Sequence, residues 1–445
     1  MDCDIAIIGA GVAGLAAAGV LAQRGMSVRC LEANSYAGGR IRTVHDPLTS
    51  FPIELGAEFV HGLPAETWNS IRRAGLKVYE HSSKSLYIDK GRILPESEAG
   101  GTTGKVFLAA AQSRRRSDES FEQFLRRSRY PAEAKARAGL QVEGFDAARQ
   151  ELISLASLKQ EWEAAEKIDG DRSYRMIDGY DSLVHYLVRS IPGWQSVMQF
   201  NSVVEKVKWR KGRVAVEYRS TVDDAPQELT CRKLIVTVSL GVLQGAPQTR
   251  GAIEFDPQPV DAIKAARALI LGHAFRVTLR FNDAFWEEDK TFRQVGYLFS
   301  TEKLFPTWWT TYPVATPVIT GWTAGSAAHS LLDEKATVIR GEALASLERI
   351  LGRRIPRPLS AHLHDWRGDT FFRGAYSYVP AHALHARNAL AQPVEDTLFF
   401  AGEATETSGN AATVHGAIAS GLETALRIRN SCREKSANRV QKAEV

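Results

Sequence analysis

Cysteine, net charge and long apolar runs are all scarce in this sequence. Its 445 residues contain four cysteines, which lie far apart and form no CxxC or CxxH pair. This spacing disfavours a zinc site or a disulfide framework, so no metal is expected, and it suits a reducing compartment. The 56 Lys and Arg exceed the 51 Asp and Glu by five. Such a small excess does not indicate nucleic acid or anionic lipid as the main partner.

One N-terminal segment resembles a signal peptide only superficially. Residues 5–22 are mostly apolar, but Asp2 and Asp4 stand where a signal peptide carries positive charge, and four glycines interrupt the run. No other stretch reaches the roughly 20 uninterrupted apolar residues that a membrane span requires. We therefore expect a soluble, cytoplasmic protein, and its length indicates two domains or one large α/β unit.

The first 32 residues have the pattern of a strand, a glycine-rich turn, a helix and a second strand. Between the strand at 4–8 and the helix at 15–24 lies a GxGxxG motif, in which Gly9, Gly11 and Gly14 let the backbone approach a pyrophosphate. Glu32 follows Gly14 by 18 residues, close to the spacing of the acid that binds ribose hydroxyls. The motif predicts a dinucleotide and, by itself, leaves FAD and NAD open.

The rest of the chain mixes helical and strand patterns. Residues 67–171 are rich in Arg, Glu and Ala with helical spacing, whereas 203–218 predict a hairpin around Lys211 and Gly212. Apolar and polar residues alternate over 275–281 and predict a half-buried strand. Buried strands are also predicted at 234–238 and 398–401, and helices at 337–351 and 411–428.

Five segments resemble motifs of the FAD-dependent amine oxidases. In one-letter code they are EANSYAGGRI at 32–41, IVTVSLGVL at 235–243, RGAYSY at 373–378, FFAGEAT at 399–405 and ATVHGA at 412–417. Their order and spacing match that family over nearly the whole chain, with Ser239 where the family has proline. The pattern is most similar to polyamine oxidases and to the oxidase domain of lysine-specific histone demethylases, and monoamine oxidases are more distant.

The resemblance implies an α/β fold with two domains. A Rossmann-like FAD-binding domain would comprise residues 1–66, 172–245 and 395–432. A second, α+β substrate-binding domain, with a mixed sheet flanked by helices, would comprise 67–171 and 246–394. The active site would lie between the two, and residues 433–445 would form a flexible tail.

The resemblance also implies which residues bind FAD. They are Gly9, Gly11, Ala13, Gly14, Glu32, Ala33, Gly39, Arg40, Gly56, Ala57, Glu58, Val204, Trp366, Gly402, Glu403, Thr413 and Val414. Val204 would contact the adenine through its backbone, and Glu403 would bind the ribityl chain. Monoamine oxidases carry a cysteine for covalent flavin attachment where this chain has Ala375, so FAD should be bound noncovalently.

Four residues are implied in catalysis: Arg276, His61, Tyr376 and Thr413. Tyr376 aligns with one wall of the aromatic pair that frames the amine in monoamine oxidases, and Thr413 aligns with the other wall, which opens the cavity. His61 aligns with a histidine that faces the substrate in animal polyamine oxidases. Two of these residues also have a purely structural interpretation: Tyr376 as a core tyrosine, and His61 as a hydrogen-bonded histidine.

Arg276 is the main departure from the family, which usually has a lysine that is bonded through water to flavin N5. Arginine keeps the charge but is a planar fork that does not deprotonate. Alternatively, Arg276 lies on a polar strand face with Thr278 and Arg280. Trp308, Trp309 and Trp322 either line the cavity or belong to the core.

The resemblance implies oxidation of a polyamine or another secondary or primary amine. Hydride transfer to flavin N5 would give an imine that hydrolyses, and oxygen would reoxidise the flavin to give hydrogen peroxide. Because Arg276 replaces the lysine, an FAD-dependent dehydrogenase or desaturase with another electron acceptor is an alternative. A non-catalytic, flavin-stabilised binding protein is a second alternative. The sequence does not indicate the oligomeric state.

Overall fold

The computed structural model describes residues 1–47, 49, 51–89, 91–95, 100–115 and 117–443, with side chains up to residue 432. In chain order, the strands are β1 Ile5–Ile8, β2 Val28–Leu31, β3 Thr43–Val44, β4 Ile53–Glu54, β5 Val60–His61, β6 Val78–Glu80, β7 Ser85–Asp89, β8 Arg92–Leu94, β9 Ser173–Met176, β10 Met198–Gln199, β11 Ser202–Arg210, β12 Arg213–Ser220, β13 Pro226–Cys231, β14 Lys233–Val236, β15 Glu254–Asp256, β16 Ile270–Leu271, β17 Ala274–Arg280, β18 Tyr297–Ser300, β19 Thr307–Trp309, β20 Val318–Ala324, β21 Ser360–His362, β22 Ser377–Tyr378 and β23 Leu398–Phe400.

The helices alternate with these strands. They are α1 Val12–Ala22, α2 Ala65–Ala74, α3 Thr102–Ala111, α4 Phe121–Arg127, α5 Ala132–Asp146, α6 Leu155–Glu166, α7 Asp181–Arg189, α8 Trp194–Val197, α9 Leu240–Leu243, α10 Val260–Ala268, α11 Gly325–His329, α12 Ala336–Leu351, α13 His385–Leu390 and α14 Val414–Ala443, with a 3₁₀ turn at Glu403–Thr405. Within the described residues, no helix combines the length and the apolar character that crossing a membrane requires.

A five-stranded parallel sheet carries the glycine motif. Its strand order is β10-β2-β1-β14-β23, and every strand pair is parallel. The residues of β1 are buried because the sheet is covered on both faces, which is typical of parallel sheets. Helices α1 and α14 cross closely on one face, where a Cβ on Gly421 would overlap the Ala13 carbonyl. The predicted strand–helix–strand unit is confirmed.

The predicted hairpin is also confirmed. Strands β11 and β12 pair antiparallel, with Arg210 opposite Arg213, and Gly212 in the turn has φ +73°. The hairpin belongs to a four-stranded sheet, β13-β12-β11-β15, which packs against the second face of the parallel sheet.

A seven-stranded mixed sheet, β21-β17-β20-β19-β18-β7-β8, forms the opposite side of the molecule. It is mixed because β18 and β7 pair in parallel while the other neighbours are antiparallel. One face packs on α12 through an apolar core that includes Trp308 and Ile350. The fold class is therefore α/β with several sheets flanked by helices, as predicted.

Two predictions about individual elements were wrong. Strand β17 is buried on both faces, since Arg276 and Thr278 are covered, and is not half-buried. Strands β6, β7 and β8 interrupt the region for which only helices were predicted. Helix α14 runs from Val414 to Ala443, and the flexibility of the segment after residue 432 stays a prediction. Residues 444 and 445 lie outside the described chain, and the domain boundaries stay a prediction.

Candidate active site and cofactor cleft

The glycine motif forms a tight cradle at the carboxyl end of β1. Gly9 has φ +102°, a backbone conformation that L side chains rarely adopt. A Cβ on Gly14 would overlap the Gly9 carbonyl oxygen, so this glycine lets α1 lie against the turn. A Cβ on Gly11 would meet no atom within 4 Å, which leaves open space at the N-terminus of α1. The free N–H groups of a helix N-terminus favour phosphate at such a place.

Glu32 closes the cradle at the end of β2. One carboxylate oxygen accepts a hydrogen bond from the Ala10 N–H at 2.7 Å, and the other accepts from the Asn34 N–H at 2.9 Å. Burial raises the pKa of Glu32, and these hydrogen bonds oppose that rise. The carboxylate thus lies beside the glycine turn, and its contact with a ribose stays a prediction. Ala33 follows it directly, and Val204 is buried in β11.

A second glycine-rich strap passes in front of the cradle. Gly39 has φ +62°, and a Cβ on it would approach Gly11 Cα to 3.4 Å. Gly56 lies directly against the strap, because its Cβ would overlap the Arg40 carbonyl, and the Ala57 N–H donates to that carbonyl at 3.0 Å. The strap therefore lies directly against the cradle, and Arg40 at its end lines a cleft together with Thr237 and Gly402.

One wall of the cleft is an ion pair between the buried Glu403 and the partly exposed Arg40. Arg40 Nη1 lies 3.0 Å from Glu403 Oε1 and donates to the Ala375 carbonyl at 2.6 Å. The Ser377 hydroxyl donates to the other Glu403 oxygen at 2.7 Å. Burial alone would raise the pKa of Glu403, but the charges of Arg40 and Arg387 and these hydrogen bonds lower it. Arg40 is therefore not an ordinary surface arginine.

The cleft fits the dinucleotide that the sequence implies. Gly402 has φ +139° and open space where its Cβ would be, like Gly11 across the cleft. Together with Glu32 and Arg40, these residues supply backbone access to a diphosphate, an acceptor for ribose hydroxyls and a guanidinium. Trp366 packs at the edge of the cleft, where its Nε1 donates to the Leu55 carbonyl at 2.9 Å.

Thr413 caps a helix. Its hydroxyl donates to the Asn410 carbonyl at 2.6 Å and accepts from the Gly416 N–H at 2.9 Å, at the start of α14. This is the usual behaviour of an N-cap threonine, and Val414 is the first helical residue. The capping bonds hold the hydroxyl of Thr413, and its role as a cavity wall stays a prediction.

Arg276 belongs to a buried cluster of charges. Its Nη2 lies 3.0 Å from Glu58 Oε2, and its Nη1 donates to the Glu54 carbonyl at 3.1 Å. The other Glu58 oxygen lies 2.5 Å from Arg175 Nη2. Burial lowers the pKa of Arg276, and the charge of Glu58 opposes that change. Arg276 and Thr278 do share one face of β17, but that face is buried, because the segment carrying Glu54 and Glu58 covers Arg276.

Two tryptophans complete the surroundings of Arg276. The guanidinium carbon lies 5.4 Å from the Trp309 ring centroid and 5.8 Å from that of Trp322. Trp309 Nε1 also donates to Glu58 at 3.2 Å. Trp308 is fully buried in the apolar core under α12, so it does not line a cavity, and for Trp309 and Trp322 the place in a cavity wall stays a prediction. Arg276 Nε has no hydrogen-bond partner within the described structure.

His61 lies at the end of β5 among aromatic rings. Its ring centroid is 5.9 Å from that of Phe59 and 5.7 Å from that of Phe145. Burial lowers the pKa of His61 to about 4, and burial likewise lowers that of nearby His415 to about 4. His61 is therefore neutral at pH 7 and can accept a hydrogen bond through its unprotonated ring nitrogen.

Tyr376 and Trp322 both reach the end of α5. The Tyr376 hydroxyl donates to the Phe145 carbonyl, and Trp322 Nε1 donates to the Gly144 carbonyl, each at 2.7 Å. Trp322 is also the cross-strand partner of Arg276, and the ring of His61 contacts that of Phe145. Three of the predicted catalytic residues, Arg276, His61 and Tyr376, are therefore connected to the end of α5, directly or through Trp322.

Sequence reasoning missed two residues of this region. Arg175 lies in β9, in a segment that matches no motif, and Phe145 is an exposed residue at a helix end. Three carboxylates that could attract a substrate ammonium, Glu54, Glu58 and Asp89, have partners within the protein. Glu54 accepts from Thr43 and the Tyr180 N–H, Glu58 is shared by two arginines, and Asp89 accepts from Thr301. Across the described part of the chain, no group of three or more His, Cys, Asp or Glu could hold a metal ion.

The sequence and the fold are similar to those of known proteins. The profile of a family described as "Flavin containing amine oxidoreductase" matches residues 12–429. Lysine-specific histone demethylase 1 homolog 2 of Oryza sativa subsp. japonica is 26% identical over 96% of this chain, which spans only 57% of that protein. Polyamine oxidase 2 of Arabidopsis thaliana is 27% identical over 95% of this chain and 87% of its own length.

Two solved structures share the fold. Putrescine oxidase bound to putrescine superimposes with a TM-score of 0.81 at 21% identity, covering 97% of this chain and 99% of its own. Cyclohexylamine oxidase from Brevibacterium oxydans IH-35A gives a TM-score of 0.82 at 20% identity, covering 97% of this chain and 100% of its own.

Proposed function

Because this chain belongs to the family of flavin-containing amine oxidoreductases, in which FAD is the cofactor, we propose that it oxidises a carbon–nitrogen bond of a polyamine or of another secondary or primary amine. The single observation that carries the proposal is the bond from Arg40 to the Ala375 carbonyl at 2.6 Å. Ala375 immediately precedes Tyr376, so this bond joins the dinucleotide cleft to the aromatic site around Tyr376. A redox cofactor in the cleft and an amine beside Tyr376 would then be neighbours.

FAD, when bound, supplies the electron-accepting ring, and the protein supplies binding and orientation. The cradle of Gly9, Gly11 and Gly14 would hold its pyrophosphate, and Arg40 would neutralise charge there. Ala375 offers no nucleophile, so the flavin would remain noncovalently bound.

On the amine side, neutral His61 would accept a hydrogen bond from the substrate nitrogen. Tyr376 and Trp322 would form apolar walls that keep water away from the nitrogen-bearing carbon. Arg276 would supply a fixed positive charge, since Glu58 and the Glu54 carbonyl hold its guanidinium in place.

The fixed position of Arg276 also favours a second candidate function. A guanidinium fastened at Nη1 and Nη2 does not reproduce the compact, mobile ammonium of lysine. The enzyme would then be an amine dehydrogenase or desaturase that passes electrons to an acceptor other than oxygen.

Anaerobic reduction of the purified holoprotein tests the proposal. Polyamines, monoamines and amino acids would be mixed one by one with the yellow protein while its flavin absorbance is recorded. Bleaching by at least one amine is expected. A flavin that no amine bleaches would contradict the proposed oxidation and leave a flavin-stabilised binding protein. Admitting air then separates the two candidates, because an oxidase recovers its colour rapidly with hydrogen peroxide and a dehydrogenase recovers it slowly.

A further inference from the structure

The last turn of α5 borders the proposed amine site. Trp322 Nε1 donates to the Gly144 carbonyl, and the Tyr376 hydroxyl donates to the Phe145 carbonyl, each at 2.7 Å. Two aromatic side chains of the site thus use their only strong donors on consecutive carbonyls of one segment. The backbone of Gly144 and Phe145 is therefore held in place by side chains of the proposed amine site.

Close backbone packing against the seven-stranded sheet also fixes this turn. The helix ends at Asp146, the next residue Ala147 has φ +48°, and the chain then crosses the ends of β17 and β20. A Cβ on Gly272 would overlap the Ala147 carbonyl, and a Cβ on Gly325 would overlap the Ala148 carbonyl. Because both neighbours are glycines, the turn sits directly on the sheet and cannot move toward it.

Phe145 is held in this way although its own side chain is 66% exposed. Its ring meets His61 edge-on, at 66° and with centroids 5.7 Å apart. A phenylalanine left this exposed gains little from burial in the free protein and offers most of its apolar area to a ligand. Burial keeps His61 uncharged, since its pKa is lowered to about 4, so the ring that Phe145 contacts carries no charge.

We propose that Phe145 is a specificity-determining residue of the amine site, and that it contacts an apolar substituent of the substrate. The inference rests on the amine oxidation proposed above and narrows it to amines that carry an alkyl or aromatic group. The carboxylates of Glu54 and Glu58 support this choice, because both are satisfied within the protein and neither is free to bind a second ammonium.

One neighbouring feature favours the opposite substrate class. Asp146 and Glu161 are joined by a side-chain hydrogen bond, and burial followed by their mutual repulsion raises the pKa of Asp146. Two carboxyl groups that share a proton are a poor match for an apolar group but could receive an ammonium after losing that proton. The experiment therefore compares substrates that differ only in a distal ammonium.

Hexylamine, 1,6-diaminohexane and propylamine would be compared in anaerobic flavin reduction and in steady-state turnover, with the holoenzyme and its variants. The wild type is expected to favour hexylamine over 1,6-diaminohexane in kcat/KM. F145A should lower kcat/KM for hexylamine by roughly tenfold, mainly through KM, and leave propylamine nearly unchanged, because a few methylene contacts have about this value. F145L should retain most of the hexylamine activity.

Leu359→Ala is the matched control, since Leu359 is a comparably exposed apolar residue before β21. This variant should leave kcat/KM unchanged for all three amines. A preference for 1,6-diaminohexane that D146N abolishes would overturn the inference and assign the distal site to the carboxyl pair. If F145A lowered kcat/KM equally for hexylamine and propylamine, the inference would also be overturned, because Phe145 would then act only on the structure of the site. If no amine bleaches the wild-type flavin, the proposed function itself fails.

Discussion

Glu58 and Arg276 form an ion pair of 3.0 Å in which both side chains are almost completely buried. Arg175 binds the second oxygen of the same carboxylate, so two guanidinium groups share one anion. Burying charges is costly unless each one is paired and hydrogen-bonded. The pair therefore fixes where Arg276 lies, and it makes Glu58 the residue on which the positive charge of the site depends.

Replacing Glu58 by Gln should destabilise the protein strongly. The variant leaves Arg175 and Arg276 buried side by side without a counter-charge, a change that costs about 3–5 kcal/mol when one partner of a buried pair is removed. Urea unfolding followed by fluorescence would measure the loss. Glu217→Gln is the matched control, because Glu217 pairs with Lys208 at the surface and should contribute less than about 1 kcal/mol. Equal effects of the two variants would contradict the assigned role of Glu58.

Restoring lysine at position 276 should accelerate the reaction of the reduced flavin with oxygen. A lysine ammonium would keep a charge near Glu58 and would leave room for water where the guanidinium lies. Stopped-flow mixing of the reduced protein with air-saturated buffer gives the reoxidation rate. Arg280→Lys, on the same strand, is the control and should leave that rate unchanged. An unchanged rate in Arg276→Lys would show that position 276 does not limit oxygen reactivity.

The stability of the protein should depend on pH through His61. Its pKa is lowered from 6.5 to about 4 in the folded state, so between these values the unfolded chain binds a proton that the native protein does not. The free energy of unfolding contributed by His61 therefore rises with pH over this window, by up to about 1.4 kcal/mol per pH unit. His61→Gln should remove this part of the slope between pH 4 and 6.5.

Denaturant titrations at several pH values would measure both slopes. His45→Gln serves as a control, since the His45 side chain is 59% exposed. The same slope in wild type and His61→Gln would mean that His61 is solvated and charged in the folded protein.

An added methyl group at Gly14 should abolish cofactor retention. A Cβ there would overlap the Gly9 carbonyl, so Gly14→Ala must displace the turn that receives the pyrophosphate. Gly104→Ala is a matched change inside helix α3, where a Cβ meets nothing within 4 Å, and it should stabilise the protein by about 0.5–1 kcal/mol. The ratio of flavin to protein after gel filtration reports the difference. Full flavin content in Gly14→Ala would argue against the cradle.

The sequence predicted well those parts of the molecule whose determinants are local. The glycine turn, Glu32 and the hairpin at Gly212 depend on neighbouring residues, and all lie as expected. Strand β17 was misjudged because a distant segment covers its polar face with Glu58. Alternation of polar residues indicates solvent only when no buried charge faces the strand.

The site residues that escaped prediction have no local signal. Arg175 sits in a four-residue strand, Ser173–Met176, and its role follows from a partner more than a hundred positions away. Phe145 looks like any residue at the end of a surface helix until Tyr376 and Trp322 are seen to bind the carbonyls beside it. Such residues are defined by tertiary contacts, which local composition does not encode.

The bond between Arg40 and the Ala375 carbonyl spans 335 positions of the chain. The cleft therefore cannot be completed while the polypeptide is still being synthesised. A nascent chain without its last quarter has Arg40 but lacks Ala375, to which Arg40 is bonded. FAD would accordingly bind late in the biogenesis of the protein. The yellow absorbance of bound flavin would then report that the N-terminal and C-terminal segments have packed together.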